Sequence, residues 1–451
     1  MDCDPPSDET SIAEFVSRLR FEDLTDEEIS TVERAFVDTV GVGIAGLGEP
    51  AARKVRSRFG DIAPISNEST GRAGNATDRV ADPSMAGLLI GTAAHALDYD
   101  DLSWSTDGHP SVTLVPVPLA LAEHVEASGK DAITAYAAGY ETACAVAGPV
   151  SPTHYERGWH ATATIGSFAA AAAAARLLDL DPEQTEHALA IAASTASGLK
   201  TNFGSMTKPL HAGLAVRDGI TAALLAGDGF TGSLGAISDE AGFWGVYADG
   251  PESSFTIGDP RHLDTYGLQV KAYPCCYYTH AAIAATASLV DDHAIAPESI
   301  RRIDVTGSRA AADALQYAEP SSPTEAKFSM QHAVAAAVIT DRVGLQSFEE
   351  SFVSDDRVRR LRKRVTFHVD ENRPYNANGA DVKIETANGT VETTRDRPPG
   401  TRRDPLTDEE LDVKFRDCVE RRLSPKETTE LSEFLFHLAS KPRLGPVLDH
   451  W

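Results

Sequence analysis

Along the first half of the chain, apolar positions recur at helical spacing and small residues fill the faces between them. "LTDEEISTVERAFVDTVGVGIAG" predicts a helix that opens on a capping box, Thr25 to Glu28, and runs to Gly46. "HATATIGSFAAAAAAARLLDL" predicts a second, whose alanines permit close packing and whose Arg and Leu follow in register. "DPEQTEHALAIAAS" predicts a third, with Asp181 as N-cap and Pro182 at the first helical position. "PLHAGLAVRDGITAALLAG" is a fourth, and the helical texture continues to about residue 230.

Near residue 265 the pattern changes. "LQVKAYP" predicts a short strand leading into the helix "YYTHAAIAATASLV". "IRRIDVTG", "KRVTFHVD", "ADVKIETANG" and "TVETTRD" predict strands, the last two joined by a hairpin at Asn388-Gly389. "FSMQHAVAAAVITD", "LTDEELDVKFRDCVE" and "PKETTELSEFLFHLAS" return to helix. The predicted class is mainly α. A large all-helical domain, residues 1–264 plus 405–451, carries a smaller inserted α+β domain, residues 265–404. No internal repeat is visible.

Charge narrows the partners. The chain carries 67 acidic against 41 basic residues, a net charge of -26, which repels nucleic acid and anionic lipid. Only eleven of the 41 basic residues are Lys. Acid excess with so little Lys suggests a surface adapted to molar salt, where screening shortens repulsion to about 3 Å; an ordinary acidic enzyme is the alternative. No stretch approaches the roughly 20 apolar residues of a membrane span. The acidic start, "MDCDPPSDET", lacks the pattern of a secretory signal, so the expected location is cytoplasmic. Cys3, Cys144, Cys275, Cys276 and Cys418 show neither a disulfide framework nor metal-ligand spacing, and adjacent Cys275 and Cys276 read as packing residues.

Five segments set polar residues among small or apolar ones. "AHALDYDDLSWSTDGHPSV" holds Asp98, Asp100, Asp101 and His109, and "GWHATATIG" puts His160 at a helix start. "SMTKPLHAG" holds Lys208 and His211, "VKAYPCCYYTH" holds Lys271 and His280, and "QYAEPSSPTEAKFSMQH" holds Tyr317, Lys327 and His332. There is no nucleotide-binding glycine motif, P-loop or serine nucleophile elbow. The three aspartates invite Mg²⁺, but the companion segments bring Lys and His rather than further acids, so no metal or other cofactor is expected.

Lys208 and His211, three apart, share a face near a helix N-terminus whose N–H groups favour an anion. With Lys271 as a second cation, this set suits a di- or tricarboxylate. Proton removal beside a carboxylate builds enediolate-like charge that Lys and His donors stabilise. A second His can protonate a departing hydroxyl. The residues alone therefore point to a cofactor-independent lyase or isomerase of polycarboxylates. A non-catalytic helical dimer that binds a carboxylate metabolite is the alternative of another class; paired proton carriers at His109 and His160 argue against it.

In order and wording these segments resemble the MmgE/PrpD family of 2-methylcitrate dehydratases and cis-aconitate decarboxylases. "MTKPLHAG" and "KAYPCCYYTH" carry the resemblance most specifically. It implies a mostly helical large domain, a smaller α+β lid domain, a homodimer, and catalysis without metal or iron–sulfur cluster. It places catalytic residues at Asp98, His109, His160, Lys208, Lys271 and Tyr317, with His211 and His280 in the same motifs as substrate-binding residues. Asp98 would orient a neighbouring His, His109 and His160 would carry protons, both Lys would bind carboxylates, and Tyr317 would donate near the leaving group. Family decarboxylases typically carry Thr where Leu102 stands here, and their loop from Asp98 to His109 is one residue shorter. That departure puts decarboxylation in doubt without establishing dehydration; 2-methylcitrate dehydration is the leading expectation, with cis-aconitate decarboxylation and iminodisuccinate epimerisation as the alternatives.

Overall fold

The computed structural model describes residues 8–62, 79–80, 82–251, 254–255 and 257–451. Two compact units divide the chain: Met1–Leu268 with Leu411–Trp451, and Gln269–Glu410. Cys3 lies outside the described residues; Cys144, Cys275, Cys276 and Cys418 are buried, and no disulfide joins them. Among the described residues no helix is long and apolar enough to cross a membrane.

The first unit is built of helices whose starts are written locally. Thr25 caps Asp26–Gly46, accepting from Glu28 N while the Glu28 carboxylate accepts from Thr25 N at 2.8 Å. Asp181 caps Pro182–Thr195 in the same reciprocal way with Gln184. The helix Ala161–Leu177 is buried on every side from Ala161 to Ala175, so it lies at the centre of the unit rather than on its surface. The unit is not purely helical. Asp61–Ile62 pairs with Arg79–Val80, and isolated bridges join Ser103 to Gly108 and Trp159 to Leu199.

One helix crossing decides where the polar residues meet. A Cβ on Gly213 would stand 2.2 Å from the Leu88 carbonyl oxygen, so only glycine lets Thr207–Gly227 approach Pro83–His95 this closely. Farther along, Gly87 lies against Val216 and Ile220. The pairing 87 with 216–220, then 91 with 213, runs the helices antiparallel. His95, the last residue of one helix, therefore arrives beside Lys208 and His211 at the start of the other.

The second unit packs the helices His280–Asp292 and Met330–Ile339 around a four-stranded sheet. The strand order is Val365–Val369, Ile300–Gly307, Ala380–Thr386, Gly389–Arg395. Ile300–Gly307 is parallel to Val365–Val369, with Ile303 opposite Val365, and antiparallel to Ala380–Thr386, with Ile303 opposite Ile384. Ile303, Val305, Val382 and Ile384 turn into the core with Leu289, Val334 and Val338. The Gly389–Arg395 edge is rich in Thr and largely wet, which discourages pairing with another chain.

Two local expectations change. The hairpin forms, but Thr386 pairs with Gly389, so its two-residue loop is Ala387-Asn388 and the glycine opens the next strand. "LQVKAYP" is not a strand. Val270 N bonds to Gly400 O, which ties the segment to a loop instead of a ladder.

Candidate active site

The tetrapeptide Asp98–Asp101 follows the helix Pro83–His95, and each of its residues engages a different part of the first unit. Asp98 has φ +55°, a left-handed conformation that Asp tolerates at a cost of roughly 1 kcal/mol. Its Oδ1 accepts from Lys208 Nζ at 2.7 Å. The Tyr99 carbonyl accepts from Lys414 Nζ, also at 2.7 Å. Asp100 Oδ2 lies 2.9 Å from Nδ1 of both His95 and His109. Asp101 accepts from the backbone N of Ser111 at 3.3 Å and from its hydroxyl.

Two imidazoles thus share one carboxylate, and that carboxylate is Asp100. The expectation gave the role of orienting a His to Asp98, whose Oδ1 accepts from Lys208; Asp100 adds a second carboxylate that holds two imidazoles. Burial opposes charge on Asp100, but the two imidazoles hold its carboxyl well below the usual carboxylate range. Burial likewise pushes His95 down to about 4, so at neutral pH its ring is uncharged and donates from Nδ1. That leaves His95 Nε2 as a buried lone pair without a hydrogen-bond partner. His109 Nδ1 also lies 2.7 Å from the Asp101 carbonyl oxygen, which can only accept. His109 therefore carries hydrogen on Nδ1 and presents Nε2.

A second imidazole pair adjoins the first. His160 sits at the N-terminus of Ala161–Leu177, its N–H bonded to Gly198 O at 3.0 Å. Gly198 has φ +142°, and a Cβ there would stand 2.7 Å from the Ala163 methyl and 3.5 Å from His211 Nδ1. With that space kept open, His160 Nδ1 approaches His211 Nδ1 to 3.0 Å. The His160 ring also stacks at 5.8 Å on His95. Burial, with the neighbouring imidazoles and Lys208, holds His160 well below its ordinary value, and burial and Lys208 lower His211 too. Two neutral imidazoles joined Nδ1 to Nδ1 need one hydrogen between them. One ring must hold it and present a bare Nε2; the other must present Nε2–H. The pair is an acid and a base by construction.

His95, Asp100 and His109 offer ligand atoms within 4.8 Å of one another, close enough to hold a cation. Because His109 Nδ1 keeps its hydrogen for the Asp101 carbonyl, that atom has no lone pair to give, and the arrangement is a hydrogen-bond network.

Of the residues singled out from sequence, Asp98, His109, His160, Lys208 and His211 all fall in the first unit, in this network. Lys271, His280 and Tyr317 belong to the second unit. There Lys271 is 3 % exposed, Tyr317 is 42 % exposed, and buried His280 lies 3.2 Å from the Cys275 carbonyl through Nε2. His332 is a core histidine, with Nε2 2.7 Å from Ser347 O and its ring against Phe348 and Phe352. His95 was missed from sequence, although it stands in "AHALDYDD"; a lone His at a helix end carries no signal of its partner.

The family comparison covers most of the chain. The MmgE/PrpD N-terminal domain matches residues 10–256, and the MmgE/PrpD C-terminal domain matches residues 273–435. Cis-aconitate decarboxylase of Homo sapiens is 31% identical over 432 residues, covering 92% of this chain and 88% of the relative. Cis-aconitate decarboxylase of Aspergillus terreus is 23% identical over 475 residues, with 98% and 95% covered. The 2-methylcitrate dehydratase of Cupriavidus necator is 26% identical over 454 residues, with 94% and 92% covered. The chain belongs to the MmgE/PrpD family.

Proposed function

We propose that this protein is a hydro-lyase that removes water from 2-methylcitrate to give 2-methylaconitate. The observation that carries this reading is the Nδ1 to Nδ1 contact of His160 and His211 at 3.0 Å. Dehydration takes one proton from carbon and gives one to a departing hydroxyl, so it needs a base and an acid side by side. Decarboxylation of cis-aconitate needs a proton donor but no base.

In the proposed sequence His160 Nε2 takes the proton from the carbon next to the carboxylate. Its Nδ1 hydrogen passes to His211 Nδ1, and His211 Nε2–H protonates the leaving hydroxyl. The C–H electron pair becomes the new C=C bond, and the C–O pair leaves with the oxygen as water. Lys208, whose charge lowers both His160 and His211, stabilises the enediolate-like charge, an effect worth on the order of 10²–10³ in rate. His109, pinned through Nδ1, turns Nε2 to the substrate hydroxyl and orients it. Lys271, His280 and Tyr317 lie in the second unit, and this scheme does not depend on them.

A second reading is cis-aconitate decarboxylation to itaconate, favoured by the 31% identity to the human enzyme of that name. Leu102, buried at 8 % exposure where the family's decarboxylases typically carry Thr, speaks against this second reading without by itself favouring dehydration. The acidic composition and the family resemblance further suggest a cytoplasmic homodimer suited to molar salt, to be checked by sedimentation in low and molar KCl.

The deciding experiment follows 2-methylcitrate, citrate and cis-aconitate by proton NMR, with the protein in about molar KCl and EDTA. The expected product is 2-methylaconitate from 2-methylcitrate. Itaconate and CO₂ from cis-aconitate, with 2-methylcitrate untouched, would establish the second reading in its place.

A further inference from the structure

Phe203 lies between the isolated bridge at Leu199 and the helix Thr207–Gly227. Its ring meets the His160 ring edge-on, with centroids 4.9 Å apart and planes at 82°. The Lys208 ammonium lies 5.5 Å from the same ring. Despite these contacts Phe203 is 42 % exposed, and two apolar neighbours in the segment, Leu199 and Met206, are 48 % and 51 % exposed. A phenyl ring cannot bind carboxylate. What an open aromatic face beside a neutral imidazole and an ammonium can receive is hydrocarbon, on a ligand whose charges are met by Lys208.

We propose that Phe203 determines substrate specificity by packing against the alkyl branch of the polycarboxylate, and so separates 2-methylcitrate from unbranched citrate. This rests on the dehydration reading, with His160 as the group that takes the proton. In 2-methylcitrate the methyl is bonded to the very carbon whose C–H bond breaks. A base within about 3 Å of that hydrogen fixes the methyl close beside the base, and Phe203 is the apolar side chain packed on the ring of His160. The hydroxyl-bearing carbon and the distal carboxylates are common to both substrates, so a change at the ring acts on the branch alone. Loss of the ring's contact with Lys208 weakens both substrates equally and cancels in their ratio. Burying one methyl against the ring is worth about 4- to 10-fold in discrimination.

The test compares 2-methylcitrate with citrate, by calorimetric affinity and by kcat/KM, on the wild type, Phe203→Ala and Phe203→Leu. The wild type should prefer the branched substrate by about 4-fold or more, and Phe203→Ala should bring the ratio near one with citrate little affected. Phe203→Leu, which keeps an apolar surface, should retain most of the preference and exclude misfolding as the cause. An equal loss for both substrates in Phe203→Ala, or no preference in the wild type, overturns the assignment. The dehydration reading fails separately: a binding preference that disappears in Phe203→Ala without any turnover would keep the specificity role and remove the chemistry.

Discussion

Two buried polar networks share the tetrapeptide Asp98–Asp101, and they handle protons in opposite ways. In one, Asp100 is charged between His95 and His109, and each of those rings keeps a nitrogen that is not used in the pair. In the other, Asp101 meets Ser111, whose hydroxyl lies 2.6 Å from that of Tyr136, while nearby Asp38 pairs with Lys414 at 2.5 Å. Asp100 and Asp101 are both fully inaccessible to water. Burial pushes Asp101 up to about 8, assisted by the charges of Asp38 and Asp100, so at neutral pH it holds a proton. Equal burial therefore does not fix charge; the partners do. Two ring N–H donors keep one carboxylate ionised, and a hydroxyl beside like charges does not. The imidazole network can exchange protons with a substrate. The hydroxyl and ion-pair network holds the backbone that positions it.

That contrast can be broken most strongly at Asp100. Asp100→Asn removes the acceptor that fixes two imidazole tautomers, and kcat should fall by on the order of 10³–10⁴ while the thermal transition stays cooperative. A loss under about 10-fold would remove Asp100 from the chemistry. Next comes Lys414→Met. It leaves Asp38 buried without its cation, and urea unfolding should show a loss of about 3–5 kcal/mol. The double variant Asp38→Asn with Lys414→Met should recover much of that loss, because no unpaired charge remains.

The pH dependence of stability separates the networks by sign. Between the ordinary 3.8 and about 8 the folded chain keeps a proton on Asp101 that the unfolded chain has released. Stability from this group therefore falls as pH rises through that window and levels off above about 8. His95 acts the other way. Between about 4 and 6.5 the unfolded chain binds a proton that folded His95 refuses, so stability rises with pH there. Between about 4 and 6.5 the two slopes oppose, so Asp101→Asn should remove the fall that runs up to about 8 and expose the rise, whereas His95→Gln should take one proton from the rise, which buried His332 shares, and steepen the fall. Denaturant titrations at pH 5, 6.5, 8 and 9 read both slopes, and parallel curves for the two variants would refute the division.

The smallest effect is expected at His332. Burial holds its ring at about 4, uncharged, and its one bonded nitrogen meets a backbone carbonyl in an apolar pocket. His332→Gln should cost about 1 kcal/mol of stability and leave kcat unchanged. A large fall in kcat would show that a carbonyl-bonded imidazole in the second unit is not merely packing.

Much of the fold was legible because its signals are local. Thr25 with Glu28, and Asp181 with Pro182, mark helix starts within four residues of sequence, and period-two runs mark the strands. The site was legible as a set of residue types: Asp98, His109, His160, Lys208 and His211 stood out as polar groups among small neighbours. Their pairing was not. Nothing near Asp100 in sequence says that it, rather than Asp98, holds two imidazoles, because that follows from the turn at Asp98 and its φ of +55°. The register slip of the hairpin has a similar origin: Asn388-Gly389 announces a turn, but strand pairing chooses which residues occupy it.

The sequence by itself determined the elements, the acidic surface, the family and the inventory of proton carriers and cations, since each is a property of composition or of neighbours along the chain. Only the tertiary structure decided that Lys414 reaches Tyr99 across 315 positions, that His160 lies between His95 and His211, and that adjacent Asp100 and Asp101 differ in charge. The physical reason is range. Hydrophobic periodicity and capping act within a few residues, whereas the protonation of a buried group is set by whichever donors and charges packing brings within about 4–6 Å.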